Sequence, residues 1–183
     1  MLWKKCFDGL AVTVGLILIG WVLVLITLGI WLIDGRPILF RQQRIGLNKQ
    51  PFSIYKFRTM KNEVVTKSGK FLRQTGLDEL AQILNIVQGD MSVVGPRPLT
   101  QADITRLGWD DAYHAQRWTI KPGITGLAQL YGGRSAKISW QMDRVCQAQM
   151  SWWLDTRIVL WSLMVNVLGK RRVRGWLMKK DTL

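Results

Sequence analysis

Asp78 and Glu79 are adjacent carboxylates at the head of an apolar-periodic stretch, LDELAQILNIVQGDMSVVGPRP at residues 77–98. A carboxylate can serve as a covalent nucleophile, and a hard oxygen donor beside it suits Mg²⁺. Further along the same stretch Arg97 stands between Pro96 and Pro98. Two prolines restrict the backbone on either side, which lowers the cost of holding the guanidinium against a phosphate. A nucleophile, a metal ligand and a phosphate clamp thus lie close in sequence. Each has a plainer reading. Acidic residues in a first helical turn favour the helix dipole without doing chemistry, and on the local pattern alone this is the stronger reading of Asp78 and Glu79. Arg97 can equally be a solvated turn residue.

These side chains need elements to position them. Thr75 reads as the N-cap of a helix over residues 76–88, in which Leu77, Leu80, Ala81, Leu84 and Val87 follow helical spacing and Gly89 is the stop. Residues 38–45 and 52–60 read as two strands joined by GLNKQP. Period-2 alternation sets Phe52, Ile54, Lys56 and Arg58 on one face of the second strand, and the alternative is a hairpin whose basic residues snorkel at a lipid surface. Residues 62–70 are polar and read as a loop, and residues 99–118 as a partly exposed helix. KPGITGLAQ at 121–129 and GGR at 132–134 are Gly-rich. Glycine lets a backbone approach a ligand closely, although neither the Rossmann nor the P-loop pattern is present. Residues 139–168 read as helical in two pieces and strongly apolar, followed by KRRVR at 170–174. That is the pattern of an interfacial helix with a basic tail, or of a core helix with a solvated tail.

The net charge of +14 over 183 residues points to an anionic partner: a phosphorylated ligand, anionic lipid or nucleic acid. Ten Trp favour lipid, since Trp concentrates at membrane interfaces. No nucleic-acid recognition motif accompanies the charge, so no nucleic-acid partner is expected. Cys6, Cys146 and the single His114 exclude a zinc finger and a disulfide framework. Residues 9–33 carry no charge, and as a helix they would be roughly 37 Å long, enough to cross the hydrocarbon core. Basic residues flank both ends: Lys4 and Lys5 before, Arg36, Arg41 and Arg44 after. The positive-inside rule favours the cytoplasm for each flank, which leaves a spanning and a re-entrant helix both open, with Gly15, Gly20 and Gly29 as bend points.

Six motifs in order complete the pattern: KCFD at 5–8, GRPILFRQQRIG at 35–46, FSIYKFRTM at 52–60, LDEL at 77–80, GDMSVVGPRP at 89–98 and KPGITG at 121–126. Together they resemble the bacterial sugar transferases, small monotopic phosphoglycosyl transferases that start glycan assembly on a polyprenol carrier. The resemblance covers nearly the whole chain and displaces the dipole reading of Asp78. It implies transfer of a phosphosugar from a UDP-sugar to polyprenol phosphate, with release of UMP through a covalent aspartyl intermediate. It implies Asp78 as nucleophile and Glu79 as Mg²⁺ ligand. It places Lys56, Arg73 and Arg97 on phosphate, Arg134 on the nucleotide, and Asp155 among the substrate-binding residues. The sequence departs from the family in having no Ser-Pro break before Pro37, in a longer stretch over 129–140 and in VCQA at 145–148.

The expected fold is an α-rich α+β protein. Its parts are a membrane-inserted, re-entrant helix over 1–34, a compact catalytic domain over 35–170 with a short β-hairpin and amphipathic interfacial helices, and a basic tail over 171–183. The expected setting is the cytoplasmic face of the bacterial inner membrane, with membrane lipid as a partner and a homodimer left open. The rival is a non-catalytic membrane adaptor that binds anionic lipid and has no need of Asp78 and Glu79.

Overall fold

A computed structural model of the chain describes residues 2–131 and 135–168, together with residues 173 and 175. Among these are seven α-helices and a few short strands, in keeping with an α-rich α+β class. They group into two compact units, Met1–Gln43 with Ser53–Gly89, and Arg44–Phe52 with Asp90–Leu183.

The first unit begins with α1 (Leu2–Asp34), which runs without interruption through Gly15, Gly20 and Gly29. It is long and apolar enough to cross a membrane, and little of its apolar stretch is buried by protein. Ile17, Leu18, Trp21, Leu25 and Leu32 all face outward. Near its end Ile30 is buried with Phe57, Leu72 and Ala81, and Leu23 and Ile26 pack on the same cluster. In the first half, a Cβ added at Gly15 would lie 3.8 Å from Ile83 Cδ1, so that side chain comes close to the helix.

The last carbonyls of α1 need donors once the helix stops. Gly35 takes a left-handed φ of 73°, and Arg58 fills the gap. Its Nη1 donates to Arg36 O at 2.7 Å, and its Nη2 donates to Asp34 O at 2.7 Å and Gly35 O at 2.9 Å. At 6% exposed, Arg58 is therefore a buried helix cap, which corrects the snorkelling reading for this residue.

β1 (Leu39–Ile45) pairs with β2 (Pro51–Phe57), close to the strands expected. Beyond β2 the polar loop expected over 62–70 is replaced by ordered structure. β3 (Met60–Lys61) and β4 (Val64–Val65) form an antiparallel hairpin turning at Asn62 and Glu63, both at positive φ. α2 (Lys67–Thr75) follows at once, with the Thr66 hydroxyl accepting from Gly69 N as its N-cap. A Cβ at Gly69 would overlap the Thr59 backbone, so only glycine lets α2 lie this close. Thr75 is consequently the last residue of α2 and not the N-cap of the next element. Gly76, at φ 72°, turns the chain into a 3₁₀ turn over Leu77–Gln82, and α3 (Ile83–Val87) completes the expected helix.

In the second unit, β5 (Ser92–Val94) lies parallel to β6 (Gly123–Thr125). Added Cβ atoms at Gly95, Gly123 or Gly126 would each strike the backbone of the facing segment. The glycines at 95, 123 and 126 thus serve a backbone-to-backbone approach, which for Gly123 and Gly126 replaces the approach to ligand expected from the sequence. α4 (Gln101–Leu107) starts with a Thr100–Asp103 capping box and stops at Gly108, φ 66°. The helix expected over 99–118 ends there, and only a 3₁₀ turn over Ala115–Thr119 resumes it. Trp109, Trp118 and Trp140 are buried with Ile104, so three of the tryptophans counted towards a lipid interface belong to a core. α5 (Leu127–Tyr131), α6 (Ala136–Ala148) and α7 (Trp152–Leu168) follow, the last two being the expected two pieces. α7 buries Asp155 and Ile158 while Trp153, Leu160 and Leu163 are exposed. The KRRVR segment lies outside the described residues except for Val173.

Candidate active site

Asp78 and Glu79 lie in the tight turn that Gly76 opens, both half-buried. Glu79 Oε1 accepts from Lys56 Nζ at 2.6 Å, so the strand residue and the second carboxylate form an ion pair. Asn85 ensures that β2 can deliver Lys56 there. Fully buried on α3, it accepts from Tyr55 N at 3.0 Å through Oδ1 and donates to Ser53 O at 2.7 Å through Nδ2. Its amide acts as a substitute strand partner on either side of Ile54 and ties the strand just before Lys56 to the helix following the carboxylates. Thr59, just beyond β2, accepts from Arg73 Nε at 2.9 Å and so restrains the guanidinium at the end of α2.

The FSIYKFRTM motif therefore does several things in a row. Lys56 meets Glu79, Arg58 caps α1, and Thr59 holds Arg73. Sequence alternation put Arg58 on the face of Lys56, but Arg58 and Thr59 lie past the end of β2, where period 2 no longer applies, so neither role is carried by the pattern.

Burial pushes the Asp78 carboxyl above the usual carboxylate range. Lys56 pulls it down by its charge, the neighbouring Glu79 pushes it up, and Arg73 pulls it down less strongly. A half-desolvated carboxylate flanked by cations is a stronger nucleophile than a fully hydrated one, provided that the pH keeps it ionised. The donor chemistry at Glu79 also suits Mg²⁺, which is held by one or two carboxylates together with substrate phosphates rather than by an all-protein cage. No cluster of three or more His, Cys, Asp or Glu side chains that could hold a metal occurs among the described residues.

In the second unit Arg97 is exposed while Pro96 and Pro98 on either side are buried. The prolines thus anchor the loop and the arginine side chain projects from it. Arg117 Nη2 donates to Arg97 O at 2.5 Å and Arg117 Nε donates to Asp143 Oδ2 at 2.9 Å. Arg117 and Asp143 are each 4% exposed. Burial lowers the Arg117 pKa and raises that of Asp143, each against the pull of its partner. Neither residue was visible to sequence reasoning, because their pairing joins the 3₁₀ turn at 115–119 to α6 over a long separation. Asp155 is fully buried in the first turn of α7, its backbone N donating to Ser151 O at 3.0 Å. Arg134 lies outside the described residues.

The model of the family "Bacterial sugar transferase" matches residues 1–169, and the chain belongs to that family. Among its relatives is a Bacillus subtilis protein named uncharacterized sugar transferase EpsL, 37% identical over 94% of this chain and 88% of the relative. A UDP-glucose:undecaprenyl-phosphate glucose-1-phosphate transferase of Klebsiella pneumoniae is 34% identical over 93% of this chain and 41% of its own length. An Aeromonas hydrophila UDP-N-acetylgalactosamine-undecaprenyl-phosphate N-acetylgalactosaminephosphotransferase is 30% identical over 91% of this chain and 44% of its own. The chain thus spans most of the first relative but less than half of the other two.

Proposed function

We propose that the protein transfers a sugar 1-phosphate from a UDP-sugar to polyprenol phosphate, with Asp78 as the covalent nucleophile. The observation that carries this is the half-buried Asp78 carboxyl beside the Lys56–Glu79 ion pair, in a chain whose relatives bear names of that reaction. An Asp78 oxygen attacks the sugar-bearing phosphorus. The bond from that phosphorus to the oxygen bridging it to UMP breaks, and UMP leaves with the electron pair. A phosphate oxygen of the polyprenol phosphate then attacks the same phosphorus, the acyl-phosphate bond breaks, and Asp78 returns as a free carboxylate. The product is a polyprenyl-diphosphate sugar.

Lys56 and Arg73 supply positive charge next to the nucleophile, and Arg97 binds phosphate from its proline-anchored loop. Mg²⁺, when bound at Glu79, supplies charge neutralisation on the diphosphate. Arg134 is assigned to the nucleotide, and Asp155 to substrate binding.

The chain works at the cytoplasmic face of the bacterial inner membrane, where a water-soluble donor meets a lipid acceptor. α1 enters the bilayer as a re-entrant helix. The closeness of Ile83 to the backbone at Gly15 supports this, because the first half of α1, like the second, lies against the body of its unit. The exposed Trp153, Leu160 and Leu163 of α7 support lipid contact there.

The test is UMP release by the full chain in lipid nanodiscs, with Mg²⁺, undecaprenyl phosphate and a panel of UDP-sugars. Release with a particular sugar, dependent on acceptor, supports the reading. A folded, lipid-embedded chain that releases no UMP from any of them favours the non-catalytic adaptor instead.

A further inference from the structure

The Arg97 loop is held in an unusual way. Pro96 and Pro98 have no N–H to donate, so the backbone on either side of Arg97 is fixed through its carbonyls. Pro96 O accepts from Gly123 N at 2.8 Å, and Leu99 O accepts from Ile45 N at 2.9 Å. Pro98 O faces Arg44 Nη1 at 3.5 Å. The carbonyl of Arg97 itself is held by a charged side chain, Arg117, at 2.5 Å.

Burying a guanidinium costs several kcal/mol unless it is paired and hydrogen-bonded, and a neutral donor could satisfy one carbonyl more cheaply. Arg117 is paired with Asp143 and lies near the rings of Trp109 and Trp118, 5.4 and 5.0 Å from their centroids. The planar guanidinium fork explains the choice of residue. Its Nε is fixed on Asp143 and its Nη2 points at the loop, so packing against the tryptophans sets the direction of the bond to Arg97. The pair is neutral as a whole and adds no net charge to compete with that of Arg97.

We propose that Arg117, oriented by Asp143, is a positioning residue that fixes the Arg97 backbone so that the exposed Arg97 guanidinium is pre-set for a substrate phosphate. This rests on the reading of Arg97 as a phosphate ligand. It predicts that the two arginines act as one device. Loosening the loop removes the benefit of Arg97, while deleting Arg97 leaves the clamp nothing to position.

The test is a double-mutant cycle on UDP affinity, measured calorimetrically on the full lipid-embedded chain with Mg²⁺. The clamp is removed by the paired change Arg117→Met with Asp143→Leu, since apolar replacement of a buried ion pair is often tolerated. UDP affinity is expected to fall about tenfold in Arg97→Ala, as for loss of a charged hydrogen bond, and by a similar factor in the clamp variant. In the Arg97→Ala background the clamp change should then have no further effect. A folded clamp variant that binds UDP like the unaltered chain, or one that loses the same factor with and without Arg97, would overturn the proposal. Should the clamp variant fail to fold, Arg117→Lys, which keeps the charge but not the fork, serves in the same cycle with the same expectations. If Arg97→Ala binds UDP normally while UMP release shows the chain to be active, the phosphate role of Arg97 and this inference fail together but the reaction stands. If the unaltered chain neither binds UDP nor releases UMP, the functional reading itself fails.

Discussion

Lys56 Nζ lies 2.6 Å from Glu79 Oε1, so the ammonium from β2 is bonded to the second carboxylate of the pair and reaches Asp78 only through its field. Lys56 thus bonds one carboxylate of the pair directly, while the proton affinity of the other, Asp78, is raised by burial and responds to the charges of Lys56 and Glu79.

The sign of that response is testable. Glu79→Gln removes the like charge, which pushes Asp78 up, and leaves Lys56, which pulls it down. The Asp78 titration, followed by NMR of ¹³C-labelled aspartate side chains, should move to lower pH. Lys56→Met should move it to higher pH, and the acidic limb of turnover should follow. A shift in the opposite direction in either variant would show that the charges are not arranged as described.

Asp78→Asn should lower UMP release by on the order of a thousandfold or more, as expected for loss of a nucleophile. It should also stabilise the folded chain at neutral pH. The Asp78 pKa is raised on folding, so the protonated form is favoured in the native state and stability is lost as pH rises through the raised value. The neutral amide avoids that loss. Thermal melting should therefore put the variant above the unaltered chain at pH 7, with the gap closing as the pH falls below the ordinary aspartate value. Lower stability of the variant at pH 7 would contradict the sign.

Arg58→Leu should destabilise the first unit by about 3 kcal/mol or more, since the carbonyls of Asp34, Gly35 and Arg36 at the end of α1 and just beyond it lose a buried charged donor. Chemical denaturation in detergent measures this. A loss below about 1 kcal/mol would mean that water replaces the cap.

Gly69→Ala should shift α2 away from Thr59, because the new methyl group meets the Thr59 backbone. Arg73 is hydrogen-bonded to Thr59 and sits on the same helix, so UMP release should fall with stability. Unchanged kinetics and melting would show that the contact relaxes at no cost.

A re-entrant α1 places residue 2 on the cytoplasmic face. Leu2→Cys in a Cys6→Ser background should resist an impermeant maleimide applied to intact cells and react after permeabilisation. The buried Cys146 serves as a control that reacts only on denaturation. Labelling of intact cells would show that the helix spans the bilayer, and would leave the enzymatic reading untouched.

What the sequence made legible follows physical range. The long apolar α1, the β1–β2 pair and the break between α6 and α7 were readable, because periodicity and polarity are local signals. The Asp78–Glu79 pair and the neighbourhood of Lys56 were readable through ordered motifs. α2 was missed because KSGKFLRQT is polar and contains a glycine, which reads as loop; only packing against Thr59 shows why glycine is needed. Thr75 looked like a cap because its type fits, yet the real cap, Thr66, precedes a helix with too few apolar residues to announce itself. The roles of Asn85, Arg117 and Asp143 depend on contacts between residues distant in sequence, which no local pattern carries.

The central claim is that Asp78 takes up the phosphosugar. The direct measurement is mass spectrometry of the full chain after incubation with Mg²⁺ and an active UDP-sugar in the absence of polyprenol phosphate. The account predicts an added sugar phosphate on the peptide containing Asp78, absent from Asp78→Asn and discharged when acceptor is supplied. An adduct on a different residue, or UMP release by Asp78→Asn at the rate of the unaltered chain, would contradict it.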